Sequence, residues 1–273
     1  MKAVTVIRPK KILSWSDARE VWEYRELAYF FAWKDIKVKY KQTMVGVAWA
    51  LFQPFMSMVV FSTVFGKLAH LPSDNVPYPI FVYSGLLFWQ FFSGALSATS
   101  ATLVGNAGII TKVYFPRIIL PIANVVTEFV DFAIGALMLV VLMVYYHFIP
   151  NPFIILLLPI LLFITFGAAI GGGLILSSIN VKYRDVRYVL PYFIQMLLFV
   201  TPVIYPASIA GKWSFLLALN PMTGVINTSR AALFGNTPIN WTLIGISLAA
   251  VIVLLVAGVI IFKKTERYFA DIV

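Results

Sequence analysis

Six stretches of this chain are each long and apolar enough to cross a lipid bilayer. They cover roughly residues 47–65, 80–104, 118–146, 153–178, 189–205 and 243–262. A spanning helix needs about 20 apolar residues for a hydrocarbon core of about 30 Å. Lipid offers no hydrogen bonds to backbone N–H and C=O groups, so each segment has to satisfy its own as a helix. The expected fold is an all-α polytopic membrane protein with six transmembrane helices. Composition agrees, with 61% of residues hydrophobic and 12% charged, against about 45–50% and 25% in soluble domains. Pro54, Pro121, Pro159, Pro191 and Pro202 lie in or beside the spans, where they are tolerated and can kink a helix.

Lys and Arg set the orientation. Of the 21, only Lys67, Lys212 and Arg230 fall on one side; the rest lie within residues 1–46, in the loops after spans two and four, and after residue 262. Both termini are therefore expected in the cytoplasm. The net charge of +10 reads as a topology signal, and nucleic acid is not an expected partner. With no cysteine, the chain has no disulfide framework, thiolate metal site or cysteine nucleophile. Two histidines, His70 and His147, are too few for a histidine-rich metal centre, and no metal is expected. No G-x-x-x-x-G-K-[ST] stretch occurs, so ATP is not expected to bind here. No cleavable signal peptide is expected either.

Two segments are expected not to cross. Residues 14–41 read as an interface helix on the membrane surface, with Trp22, Tyr29, Trp33, Ile36 and Tyr40 on one face. Leu27, Phe31 and Val38 sit off that stripe, and packing on a partner protein is the other reading. Residues 206–241 are split by Asn220-Pro221 into pieces near 213–219 and 223–234. Each piece reaches only about 10–18 Å at 1.5 Å per residue, which suits re-entrant helices dipping from the outer face. The expected organisation is a cytoplasmic N-terminal segment (1–46), a transmembrane domain (47–262) and a short tail (263–273). Small residues at Ser93, Ser97 and Ala101, and at Gly167 and Gly171, are read as helix-packing positions.

Over nearly its whole length the chain resembles the permease subunit of ATP-driven polysaccharide exporters of the ABC class, the O-antigen, capsule and teichoic-acid type. The matching stretches are VKYKQT (38–43), GVAWALFQP (46–54), VPYP (76–79), SGLLFW (84–89), ITKVYFPR (110–117), NVKYRDV (180–186), TPVIYP (201–206) and LNPMT (219–223). The O-antigen branch is the most similar. The resemblance implies a homodimer in the inner membrane with two ATPase subunits on the cytoplasmic face. It implies a lipid-linked glycan as substrate, and ATP and Mg2+ bound by the partner subunit, with no cofactor in this chain.

A glycan needs amides for its hydroxyls and aromatic faces for its C–H groups. Trp49, Phe52, Gln53 and Met56 share one face of span one, and Tyr192, Gln195 and Phe199 share one face of span five. The resemblance implies that these two spans form the lateral opening for the lipid; packing or interfacial anchoring is the competing reading. Lys112, Tyr114, Arg117, Lys182, Arg184, Asp185 and Arg187 lie in the two basic cytoplasmic loops. The resemblance implies that such loops couple to the ATPase; alternatively their charges only fix topology. Glu128 and Asp131, three residues apart, are the only acids inside a span. At about 2.5–3.5 kcal/mol for an acid at a helix centre, they must face protein or water. They read either as hydrogen-bonding groups that fix packing or as a substrate or proton contact, with no basic residue in a span opposite them.

Rival classes differ in what they require. A secondary transporter or channel needs ionisable relays at mid-membrane, and only the Glu128–Asp131 pair offers one. A membrane-embedded enzyme needs an acid/base or nucleophile constellation, which His70 and His147 do not supply. A drug-exporting permease of the same broad class would differ only in substrate.

Overall fold

The computed structural model describes residues 15–41, 46–183 and 185–266, and every regular element among them is helical. In chain order these are α1 (Trp15–Glu23), α2 (Arg25–Lys41), α3 (Val47–Phe61), α4 (Tyr78–Gly105), α5 (Ala107–Ile110), α6 (Ile119–Tyr145), α7 (Phe153–Lys182), α8 (Val186–Val200), α9 (Ser214–Ala218), α10 (Pro221–Phe234) and α11 (Trp241–Glu266). A π-helical segment, Ser62–Leu68, continues α3 into one span of 21 residues, Ala48–Leu68. That span, α4, α6, α7 and α11 are long and apolar enough to cross a membrane; α8 is a sixth, shorter apolar helix. The protein is a polytopic membrane protein of about six spans. Its perimeter is apolar where a soluble protein would be polar: Leu137, Val144, Ile155, Leu156, Phe163 and Val253 are all exposed.

The centre of the bundle is α4, which packs against α3, α6, α7, α8 and α10. Most of its length is buried, including Ile80, Phe81, Val82 and Tyr83. Side chains from its neighbours reach its backbone. Asn124 of α6 donates to the Ala98 carbonyl at 3.1 Å, and Asn180 of α7 to the Ser100 carbonyl at 3.0 Å. Tyr83 returns a bond to the Gly135 carbonyl of α6 at 3.0 Å. The α7–α11 pair rests on close approach of backbones. A Cβ on Gly258 would lie 2.5 Å from the Gly171 carbonyl oxygen, and one on Gly171 would lie 2.7 Å from the Leu254 backbone. Gly171 thus has the packing role expected of it. The Ser97 and Ala101 positions do not, because both are exposed. The packed side of α4 carries Thr99, Thr102 and Leu103 instead.

Three boundaries differ from the sequence expectation. Segment 14–41 is two helices, broken at Tyr24, where the Arg25 guanidinium donates to the Trp22 carbonyl left over at the end of α1. Its off-stripe residues have a purpose: Leu27 and Phe31 pack with Phe115, Ile119 and Leu120 at the end of α6, while Trp22, Tyr29 and Trp33 stay exposed. The helix therefore has two apolar faces, one for the bundle and one that suits the interface. Span five stops at Val200, five residues before the expected end. Thr201 precedes Pro202 and takes an extended ψ of 138°, as the residue before a proline tends to. Fifteen residues reach about 22 Å, short of the bilayer core. Segment 206–241 consists of a 3-10 turn (Ala207–Trp213), α9 and α10. Helix α10 is the better defined. The Asn220 side chain caps it by accepting from the Met222 N–H at 3.0 Å, Pro221 opens its first turn, and Gly235 closes it with a φ of 67°. Asn220 also donates to the Thr201 hydroxyl at the end of α8, and the Leu233 carbonyl accepts from the Asn151 N–H of the α6–α7 loop. Thus α10 runs from the end of α8 to the α6–α7 loop.

Because only backbone lies between α7 and α11 at Gly171 and Gly258, Gly258→Leu should separate them. The expected cost is about 1–3 kcal/mol, read as a lowered melting temperature of the detergent-solubilised protein. An unchanged melting temperature would show that the contact bears no load.

Candidate functional site

A partly polar cavity of about 620 Å3 lies between α2, α3, α4 and α6. Its polar lining comes from Lys39, Tyr40, Gln53, Gln90, Glu128 and Asp131, with Trp49, Leu87, Phe91 and Phe132 as apolar walls. Trp49 stacks on Phe52, with ring centroids 5.6 Å apart.

The acids of α6 have a basic partner that comes from outside the spans. The Lys39 ammonium of α2 donates to Glu128 at 2.9 Å and also to Asp131, and the Tyr40 hydroxyl donates to Asp131. Lys39 is 40% exposed, while Glu128 and Asp131 are 18% and 23% exposed. Burial alone would lower the Lys39 pKa, but the two carboxylates outweigh it and hold the ammonium above the ordinary lysine value. Burial and the Asp131 carboxylate both raise the Tyr40 pKa, so its hydroxyl stays protonated and remains a donor. The expectation of two acids without a basic partner in a span is correct for the spans and incomplete for the fold. A lysine counted as a topology charge is the missing ion.

The seven residues expected to line a path are all exposed in the single chain. The structure brings Trp49 and Gln53 to the cavity beside the acids, while Phe52, Met56, Tyr192, Gln195 and Phe199 lie outside its lining. Helix α3 packs on α4 and α6, and α8 on α4 and α7. The two aromatic stripes thus occupy helices that do not pack closely on each other within one chain.

Of the loop residues, Lys112, Tyr114, Lys182, Asp185 and Arg187 are exposed, and Arg184 lies outside the described residues. Tyr114 donates to the Glu20 carboxylate of α1 at 3.1 Å. Arg117 donates to the Glu266 carbonyl at the end of α11 at 2.7 Å. The first loop is thereby tied to the interface helices and to the last span. No group of His, Cys, Asp and Glu among the described residues could hold a metal ion.

Two residues that matter were not reached from the sequence. Lys39 gives no local signal, because its partners are 89 and 92 residues away. Arg230 did give one: it is the only charged residue in α10, and a charge in a buried apolar helix marks a site by default.

A multi-pass helical bundle with a polar cavity between its spans and basic, exposed loops at one end has the architecture of a membrane permease. Residues 26–234 match the ABC-2 type transporter family, and the chain belongs to it. It is 30% identical to the O-antigen export system permease protein RfbA of Klebsiella pneumoniae over 244 residues, 88% of this chain and 92% of that one. It is 30% identical to the protein of the same name from Myxococcus xanthus over 258 residues, 93% and 97% of the two chains. Identity to the polysialic acid transport protein KpsM of Escherichia coli is 26% over 203 residues, 73% and 78% of the two.

Removing the Lys39 charge leaves two carboxylates facing each other. Lys39→Met should destabilise the protein by about 1–3 kcal/mol, the penalty of a broken buried pair reduced for partial exposure. Adding Glu128→Gln and Asp131→Asn should restore most of it. Thermal unfolding of the single and triple variants checks this; a triple variant less stable than the single one would show that the charges are not coupled.

Proposed function

We propose that this chain is the transmembrane subunit of an ATP-driven exporter that moves a lipid-linked polysaccharide of the O-antigen type across the inner membrane. The observation that carries the reading is the match, over nearly the full length of both chains, to permeases named for O-antigen export. The polysialic acid transport relative matches at lower identity and over less of the chain, which favours the O-antigen type. The cavity supports the reading chemically: an indole, two amides and carboxylates on one wall suit a hydroxylated, non-acidic substrate. In this reading both termini are cytoplasmic, two copies of the chain assemble, and two ATPase subunits dock below them. ATP and Mg2+ belong to those subunits, and hydrolysis is theirs. The exposed loop residues Lys112, Tyr114, Lys182, Asp185 and Arg187 form the docking face with α1. A proton-coupled transporter is disfavoured because Glu128 and Asp131 are already engaged by Lys39 and Tyr40.

Deleting the gene should leave lipid-linked glycan on the cytoplasmic leaflet and strip it from the cell surface; unchanged surface glycan would overturn the reading. Gln53→Leu or Trp49→Ala should slow export several-fold with dimer and ATPase assembly intact. Export at the wild-type rate, with photocrosslinks from position 53 only to neighbouring helices, would remove these residues from the path. Lys112→Glu or Arg187→Glu should weaken copurification with the ATPase or uncouple hydrolysis from export. Normal assembly and export in both would move the docking face elsewhere.

A further inference from the structure

The end of the bundle opposite the basic loops holds a second pocket, of about 310 Å3. It lies between α10, the start of α11, the turn after α8 and the loop that leads into α4. At its base is Arg230, only 5% exposed. The guanidinium donates to the Pro202 carbonyl at 2.7 Å, to Val203 at 2.5 Å and to Phe81 at 3.0 Å, and lies 3.6 Å over the Phe81 ring. Gly85 makes room for it, since a Cβ there would lie 2.6 Å from the guanidinium nitrogen. The charge is therefore fixed in place. No carboxylate pairs with it directly, and its Nε is buried with no hydrogen-bond partner.

Around this base the lining groups are polar and largely unengaged. The side chains of Asp74, Ser208, Asn227, Thr228 and Thr237, and the amide nitrogen of Asn240, make no hydrogen bond to any described residue, although all six residues line the pocket. Thr228 is 2% exposed, so its hydroxyl has little but the pocket to turn to. Asp74 and Asn227 are half-buried, and Ser208, Thr237 and Asn240 are exposed at the mouth. A buried hydroxyl such as that of Thr228 is nearly always satisfied, by protein, water or ligand. Arg230 and Asp74 carry opposite charges on one small space, so an anion meets the carboxylate and a cation meets the guanidinium. An apolar chain would leave the donors and acceptors unpaired. What suits the lining is a neutral group that presents several hydroxyls, with Pro206 and Pro238 against its C–H faces. The volume is at the lower end of ligand pockets, about 300–1,000 Å3, which suits one or two sugar units rather than an extended chain.

The geometry points to a saccharide-binding site on the outer face of the permease, built on Arg230, Asn227 and Thr228, that takes a neutral sugar unit of the emerging glycan. This rests on the export reading above. It adds a contact beyond the cavity at Gln53, whose α4 lining runs from Leu87 to Gly94 while the pocket meets α4 at Phe81.

The test uses the complete complex of permease and ATPase in cells whose glycan is labelled with a tritiated sugar. A photoreactive residue replacing Thr237, at the pocket mouth, should crosslink labelled glycan only while ATP is hydrolysed. The same residue replacing Leu137, on the apolar perimeter of α6, should not. Thr228→Val combined with Asn227→Leu should lower both crosslinking and export about tenfold, with ATPase assembly unchanged. If that double variant does not assemble, Thr228→Val alone, which exchanges a hydroxyl for a methyl, should lower the crosslinking yield. Export by the wild-type complex with no label at position 237 would overturn the site. So would assembled variants that crosslink and export like the wild type. A wild-type complex that exports no glycan would instead overturn the export reading, and the site with it.

Discussion

A helix bundle in lipid gains little by hiding apolar side chains from its solvent, because the solvent is apolar too. What holds it is close backbone approach and polar groups with no water to turn to. Both converge on α4. Asn124, Asn180 and Arg230 reach its carbonyls from α6, α7 and α10, and Tyr83 reaches back to α6. Gly173 of α7 leaves no room for a Cβ against Thr99. Around this fixed helix the others differ in how tightly they are held. Helices α6 and α7 pack along its length, whereas α3 and α8 touch it much less.

That difference separates scaffold from working parts. The span through α3 carries Pro54 in its interior and ends in a π-helical segment. Helix α8 contains Pro191 and is stopped by Thr201 and Pro202. Prolines and π-turns loosen the backbone ladder where they occur. The exposed aromatic and amide stripes lie on these two helices, so the residues proposed to meet the substrate are carried by the elements least bound to the core.

Much of this was readable from the chain itself, because hydrophobic length and lysine and arginine placement are local quantities. The six apolar segments and the two short helical pieces on either side of Asn220-Pro221 follow from them. Asn220, Pro221 and Gly235 act as the start and stop signals their chemistry suggests. The break at Tyr24 and the early end of α8 were not read, since apolar character continues across both. The ion pair at Lys39 could not be read at all: a lysine among basic residues near a membrane surface looks like a topology charge, and only the folded packing of α2 on α6 brings it to Glu128 and Asp131. The stripe on α2 was half legible for a related reason. Its exposed aromatics follow one period, but Leu27 and Phe31 serve a second face that a single-stripe reading treats as noise.

The two charged sites share a problem and solve it differently. A charge near the bilayer core must be matched. Near the middle of α6 its acids are matched by an ammonium from a helix outside the spans. At the opposite end from the basic loops Arg230 is matched by the Pro202 and Val203 carbonyls of the turn after α8 and by the Phe81 carbonyl of α4. Helix α4 touches both: Gly94 faces Glu128, and Phe81 faces Arg230. These contacts are 13 residues apart on α4, about 20 Å along an α-helix. A rigid α4 therefore holds the two sites at constant separation. Lys39 ties α2 to α6, and Arg230 ties α10 to α4 and to the turn after α8, so each charge joins a spanning helix to one too short to span.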